Sequence, residues 1–254
     1  MEFDFTGKTV LMTGAASGMA LLSAQEFARL GANVVLIDIN KEAVEEKAAQ
    51  IEKDFPGHTL AVTCDVRDYA QVEAAAKAAF DRFGSVDVML NLAGGAEYRM
   101  LNVDYSIEFP DCPIEVFDWS LDVNLKGQFY FAHAVMKYMR EQKSGVIINI
   151  GSITGEEGCP TNIAYSTAKS AAMNGLTKSL ALYGSQYGIR VVCVAPGPVL
   201  TRPGMAGMKT ALGRAAEPQE LVDAFIFLAS DHSAFTTGVN FLIDGGRNIM
   251  RNKG

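Results

Sequence analysis

Short, nearly continuous apolar runs alternate along the chain with longer segments of helical periodicity. The runs at Thr9–Thr13, Val34–Asp38, Leu60–Cys64, Val86–Asn91, Val146–Ile150, Val191–Ala195 and Val239–Ile243 read as strands. They are rich in Val, Ile and Leu, the pattern of parallel strands buried on both faces. Between them, Met19–Leu30, Lys41–Lys53 and Tyr69–Phe83 are long enough for crossover helices. In the first of these, Ala20, Ala24, Phe27 and Gly31 recur at helical spacing and form an apolar stripe. The β-α-β alternation predicts an α/β fold, an open, doubly wound parallel sheet with helices on both faces. No internal repeat or low-complexity linker interrupts it, so residues 1–254 read as a single domain. Two stretches break the rhythm, Gly95–Pro113 and Pro196–Pro218. Both follow predicted strands, at the sheet edge where such folds place their ligands.

Composition narrows the functional classes. A chain of 254 residues, 49% hydrophobic and 20% charged, suits one large folded domain. A formal charge of −7 gives a nucleic-acid partner no electrostatic footprint. Cys64, Cys112, Cys159 and Cys193 are scattered, and His58, His133 and His232 lack ligand spacing, so no metal site is expected. Free thiols fit a reducing compartment. No signal peptide precedes the first strand and no apolar run spans a bilayer, so the expectation is a soluble, cytoplasmic protein without a membrane partner.

The first strand–helix junction reads Thr13-Gly14-Ala15-Ala16-Ser17-Gly18-Met19-Ala20. Glycines there let the backbone turn tightly and approach a pyrophosphate, while the following helix offers its first amides to the anion. A glycine pair alone also occurs in structural turns; its place between the first strand and an amphipathic helix favours nucleotide binding. Asp38 ends the second strand, where a carboxylate can bind ribose hydroxyls and repel the extra phosphate of NADP. No Lys or Arg lies in Ala15–Ser17, and Lys41, the one nearby cation, reads as part of a solvated helix face. NAD is the expected cofactor.

Tyr165-Ser166-Thr167-Ala168-Lys169 places a phenol and an ammonium at i and i+4, so one helical turn presents both to one site. They follow a predicted strand that runs into Gly151-Ser152. With the Thr13–Ala20 motif, Asp38, Cys64-Asp65-Val66, Asn91-Leu92-Ala93-Gly94, Asn124 and Pro196-Gly197, the chain resembles the short-chain dehydrogenase/reductase family over essentially its whole length. The resemblance implies a seven-stranded Rossmann fold, often a homotetramer assembled through the helices holding Asn124 and Tyr165. It implies an oxidoreductase moving a hydride between NAD(H) and a secondary alcohol or ketone. By the same resemblance Tyr165 is the acid/base, Lys169 lowers its pKa and binds the nicotinamide ribose, Ser152 donates to the substrate oxygen, and Asn124 positions a water behind Lys169. Gly14, Ser17, Gly18 and Met19 form the turn; Asp65 and Val66 meet the adenine; Asn91, Ala93 and Gly94 line the nucleotide site; Pro196, Gly197, Val199 and Thr201 hold the carboxamide. A non-catalytic NAD-binding sensor on the same fold is the alternative, although such a protein would ordinarily have lost part of the Tyr–Lys–Ser set.

Departures from the family pattern concern mainly the substrate. Ala20 replaces a third glycine and Leu92 removes a side-chain amide. The segment after Thr201 is short, and 95–113 is long, carrying Glu97, Tyr98, Arg99, Asp104, Tyr105, Glu108 and Asp111, so this insertion reads either as a cover for the pocket the short lid leaves open or as a solvated surface loop. Substrate contacts are expected from 95–113, 152–164 and 196–218, with Cys159 on the border. Glu156 and Glu157 point to a sugar or polyol, while Met205 and Met208 point to an apolar substrate such as a hydroxysteroid.

Overall fold

The computed structural model describes residues 2–102 and 106–251; Asp104 and Tyr105 lie outside the described residues. Strands β1 (Thr9–Thr13), β2 (Asn33–Asp38), β3 (Thr59–Thr63), β4 (Val88–Asn91), β5 (Gly145–Ile150), β6 (Ile189–Pro196) and β7 (Asn240–Ile243) make one sheet. Its order is β3-β2-β1-β4-β5-β6-β7, and every pairing is parallel. The chain winds outward from β1 to β3, then returns beside β1 as β4. That reversal opens a crevice at the carboxyl ends of β1 and β4, the place where doubly wound sheets bind ligands.

Helices α1 (Gly18–Arg29), α2 (Lys41–Asp54) and α3 (Tyr69–Phe83) cross between the first strands. The second half contributes α4 (Glu97–Met100), α5 (Ile114–Leu121), α6 (Gly127–Gln142), α7 (Thr154–Glu157), α8 (Ile163–Ala171), α9 (Thr177–Ser185) and α10 (Pro218–Ala229). Successive strand residues face opposite sides of the sheet. Val10, Met12 and Leu36 therefore meet Phe27 of α1 and Phe225 of α10, whereas Leu11, Ile37 and Met89 meet Ala76 of α3 and Phe131 of α6. Phe27, Phe131 and Phe225 are fully buried, each side chain stabilising the fold by about 1.5–3 kcal/mol.

The element boundaries follow local chemistry. Asn40 caps α2 by accepting from Ala43 N, and Asp68 caps α3 from Ala70 N. Gly84 closes α3 in the left-handed region at φ +79°, which glycine adopts without a Cβ penalty. Strand β4 starts at Val88, two residues later than its apolar run, because both backbone groups of Val86 bond the Gln142 side-chain amide instead of a ladder. Strand β3 lies one residue earlier than its apolar run; it is an edge strand, only half-buried, so apolar spacing marks it poorly. Among the described residues no helix is long and apolar enough to cross a membrane.

Candidate active site

Two cavities open at the carboxyl edge of the sheet and share walls at Met19, Leu92, Gly94 and Thr201. The first, about 500 Å³, lies over the β1–α1 turn and is bordered by Gly14, Ser17, Gly18, Met19 and Asp38. Gly14 and Gly18 have φ of +72° and +60°. A Cβ on Gly14 would stand 3.1 Å from Ala93 Cα, so glycine is what lets the turn press against the β4 loop. A Cβ on Gly18 would project into open space, which makes room for a ligand's closest approach. The N-cap Ser17 makes no side-chain cap hydrogen bond and no acid occupies the first turn of α1, so its leading amides remain suited to an anion.

Thr13 fixes the opposite lip. Its Oγ1 accepts from Leu92 N at 3.0 Å and Ala93 N at 2.9 Å. The loop after β4 is thus held through backbone, and Leu92 puts an apolar side chain into the core where the family carries an amide. Asp38 accepts from Ala16 N at 3.1 Å and Asn40 N at 3.0 Å, tying the end of β2 to the glycine turn. The donor set fits a dinucleotide: uncapped helix amides, a carboxylate at the second strand end and a glycine-floored cradle.

Several expected contacts need correction. Asn91 lines neither cavity; it is buried within the sheet, and its Nδ2 donates to Asn149 Oδ1 at 3.0 Å, because strand residues alternate faces and Asn91 falls, with Met89, on the face covered by α3 and α6. Asp65 and Val66 do border the nucleotide cavity, but the Asp65 carboxylate is engaged by Arg67 at 2.6 Å, and that hydrogen bonding holds it below the usual carboxylate range. Arg67 itself lines the cavity, so Lys41 is not the one nearby cation. Lys41 pairs with Glu45 at 3.9 Å on an exposed face, as read from the sequence. The sequence reading also missed Ile39, a 62% exposed apolar residue beside Asp38 on the cavity wall; its signal was a large apolar residue directly after the strand-ending acid.

The second cavity, about 420 Å³, brings together Ser152, Tyr165 and Lys169. Ser152 is buried; its Oγ accepts from Thr154 N at 3.3 Å and Thr154 Oγ1 at 3.1 Å, which leaves its own proton to donate. Tyr165 and Lys169 share one face of α8, with Lys169 Nζ 5.5 Å from the Tyr165 ring centroid. Lys169 is buried and donates to Ile150 O at 3.1 Å. Burial pushes its ammonium down to about 8. Pro196, Gly197, Val199 and Thr201 complete the wall where β6 ends.

Asn124 sits in a π-helical turn, Asp122–Lys126, that joins α5 to α6. Such turns recur at functional sites. Its Oδ1 accepts from Gly95 N at 3.0 Å, and its Nδ2 donates to Gly95 O and Ser120 O, both at 3.0 Å. Its amide is therefore committed to a neighbouring backbone instead of standing free behind Lys169. A Cβ on Gly94 would fall 2.5 Å from Asn124 Oδ1 and 3.3 Å from Lys169 Nζ, so Gly94 is the spacer that lets these groups approach. Gln128, also missed, is buried; it donates to Ile150 O at 3.1 Å and accepts from Ile150 N at 2.9 Å, holding the carbonyl that Lys169 uses.

The loop expectations change most. Among the described residues of 95–113, only Gly95 and Ala96 line the substrate cavity. Tyr98 and Cys112 pack with Val116 in a small separate core, and Glu97 is fully buried, accepting from Ser120 Oγ at 3.1 Å and Tyr165 N at 3.4 Å. The described part of this insertion buttresses α8 from behind. Glu156 and Glu157 stand outside the cavity wall, and Glu157 pairs with Arg247 at 2.9 Å. Met205, Met208 and Cys159 do line it. At Cys159 burial pushes the thiol pKa up, but hydrogen bonds from Thr161 and Asn162 outweigh it and the net shift is downward. Among the described residues no group of three or more His, Cys, Asp and Glu side chains could hold a metal ion.

A family model described as enoyl-(acyl carrier protein) reductase matches residues 14–248. The chain is 35% identical to D-threitol dehydrogenase of Mycolicibacterium smegmatis, over 98% of this chain and 96% of that protein. It is 39% identical to trans-4-hydroxycyclohexanecarboxylate dehydrogenase of Sinomonas cyclohexanicum, over 96% of this chain and 94% of that one. The crystal structure of NAD+-bound xylitol dehydrogenase superposes with a TM-score of 0.86 at 29% identity, covering 95% of this chain and 99% of that one.

Proposed function

The chain belongs to the short-chain dehydrogenase/reductase family and is an oxidoreductase acting on CH–OH groups, and on that premise we propose that it interconverts a secondary alcohol and its ketone with NAD(H). The observation that carries this reading is the meeting of Ser152, Tyr165 and Lys169 in one cavity that opens directly onto the glycine-floored one. Gly14, Ser17, Gly18 and Met19 would hold the pyrophosphate, Asp38 the adenosine ribose, Lys169 the other ribose, and Pro196 to Thr201 the carboxamide. A bound nicotinamide supplies the acceptor or donor for the hydride.

The chain's own groups manage the proton and the charge. In the oxidising direction Tyr165 takes the hydroxyl proton as the carbon loses its hydride; in reduction it returns that proton. A cation beside the phenol favours the phenolate, and Lys169, held at about 8, stays mostly protonated at neutral pH. Ser152 donates to the oxygen as charge builds on it. Asn124 acts as a positioning residue, holding Gly94–Gly95 where Lys169 passes. Asp38 favours NAD over NADP, and the Asp65 carboxylate quenches the one arginine on that wall. The relatives named for a polyol and a ring alcohol support a small secondary alcohol.

The exposed Phe129, Leu182 and Tyr183, on α6 and α9, supply apolar surface for the proposed homotetramer. Four free cysteines fit the proposed cytoplasmic setting. The reading is tested by screening alcohols and ketones at the nicotinamide absorbance band, with NAD and NADP in parallel. Turnover with NAD preference is expected; activity with NADP alone would overturn the cofactor assignment.

A further inference from the structure

Resting on the oxidoreductase reading above, we propose that the substrate carries a carboxylate, which Arg202 binds at the outer wall of the Tyr165 cavity. Arg202 lines that cavity directly after Thr201. The backbone around it is anchored: Leu200 N donates to Ala216 O at 2.9 Å, and Met205 N returns to Arg202 O at 3.1 Å. The backbone that carries Arg202 is therefore tethered in the segment that follows β6.

Among the described residues its charge has no ion-pair partner. Arg67, Arg214 and Arg247 all stand in ion pairs of 2.6–2.9 Å. Arg202 contacts Met205 Sδ at 3.7 Å, and among the described residues no carboxylate lies within salt-bridge distance. The cavity wall contains no Asp or Glu. Its other cation, Lys169, is buried and turned to Ile150 O. A protein of net charge −7 thus presents, on the wall of its reaction chamber, a cation with no carboxylate partner among the described residues. A guanidinium fork matches a carboxylate in two parallel hydrogen bonds, a geometry a polyol cannot reproduce.

The cavity that holds Arg202 with Ser152 and Tyr165 also has an apolar part to its wall, Ile153, Val199, Met205 and Met208, beside the polar Thr154, Asn162 and Thr201. Such a surface suits a hydrocarbon body. The class that satisfies all three features is a small hydroxy acid, its secondary alcohol at Tyr165, its hydrocarbon body against the methionines and its carboxylate on Arg202. The flexible thioether side chains allow that body to be linear or cyclic.

The test compares hydroxybutyrate, hydroxypentanoate, hydroxyhexanoate and a hydroxycyclohexane carboxylate with the N-methylamide of each, using wild-type protein and Arg202→Met with NAD. Neutral alcohols and polyols run alongside. Wild type is expected to favour acids over their amides by about tenfold or more in kcat/KM. Arg202→Met should raise KM for the acids by that factor, with kcat nearly unchanged and the amides unaffected. Equal use of acids and amides by wild type, or equal losses on both in the variant, overturns the proposal and leaves the oxidoreductase reading standing. No turnover of any class would overturn the reading itself, and the proposal with it.

Discussion

The two halves of the cleft are built differently. The nucleotide side is a product of strand ends and backbone: Thr13 and Asp38 each bind two main-chain amides, and Gly14 lets two loops touch. The substrate side is walled by segments that follow strands β5 and β6, and its loop charges serve the architecture, as in the Glu157–Arg247 pair and the buried Glu97. A cofactor shared by many enzymes needs one fixed cradle, and the sheet supplies it. The substrate wall is left to the loops, where Arg202 stands without a carboxylate partner among the described residues.

Lys169 stands where the halves meet and carries the largest expected effect on stability. Its ammonium is held at about 8 by burial, against 10.5 when unfolded. Between those pH values the unfolded chain binds more protons, so the stability of the ligand-free protein rises from about pH 8 to about pH 10.5. The contribution amounts to roughly 3 kcal/mol and is flat below pH 8. In thermal unfolding across that range wild type should gain stability relative to Lys169→Met as the pH rises; parallel curves would remove the burial argument.

Asp38 sharpens the contrast from the nucleotide side. Asp38→Ala removes two main-chain anchors and the repulsion of a ribose phosphate, so KM for NAD should rise about 10–100-fold while NADP gains in relative preference. KM for the alcohol should stay within twofold or so, since Asp38 lies outside the substrate wall. A change confined to the alcohol would reverse the assignment of the two cavities.

The smallest effect belongs to the loop charges. Glu157→Gln breaks a pair whose side chains are both 13% exposed. About 1–2 kcal/mol of stability should be lost, a Tm drop of a few degrees, without change in substrate KM. An altered KM with unchanged Tm would return Glu157 to the substrate site.

Legibility in the sequence follows the same division. Buried parallel strands have no solvated face, so their apolar runs mark them; β1 was readable end to end, and β2 and β5 differ only by one leading residue. The glycine turn, Asp38 and the Tyr165–Lys169 spacing were also readable, because backbone torsion and helical period impose them. What stayed hidden depends on partners distant in sequence. Glu157 meets Arg247 across 90 residues and Glu97 meets Tyr165 N across 68. Neither local composition nor periodicity reports such pairings. Asn91 misled for a related reason: a strand-end polar residue reads as lining the site, yet the alternation of faces turned it toward Asn149.

In the proposed reaction Tyr165 moves the proton while the neighbouring cavity holds the cofactor. Substituting Tyr165→Phe and measuring NADH binding by nicotinamide fluorescence, together with turnover of the best alcohol, tests it most directly. Turnover should fall by about 10²–10⁴-fold with NADH affinity nearly unchanged. Full turnover in that variant would contradict it.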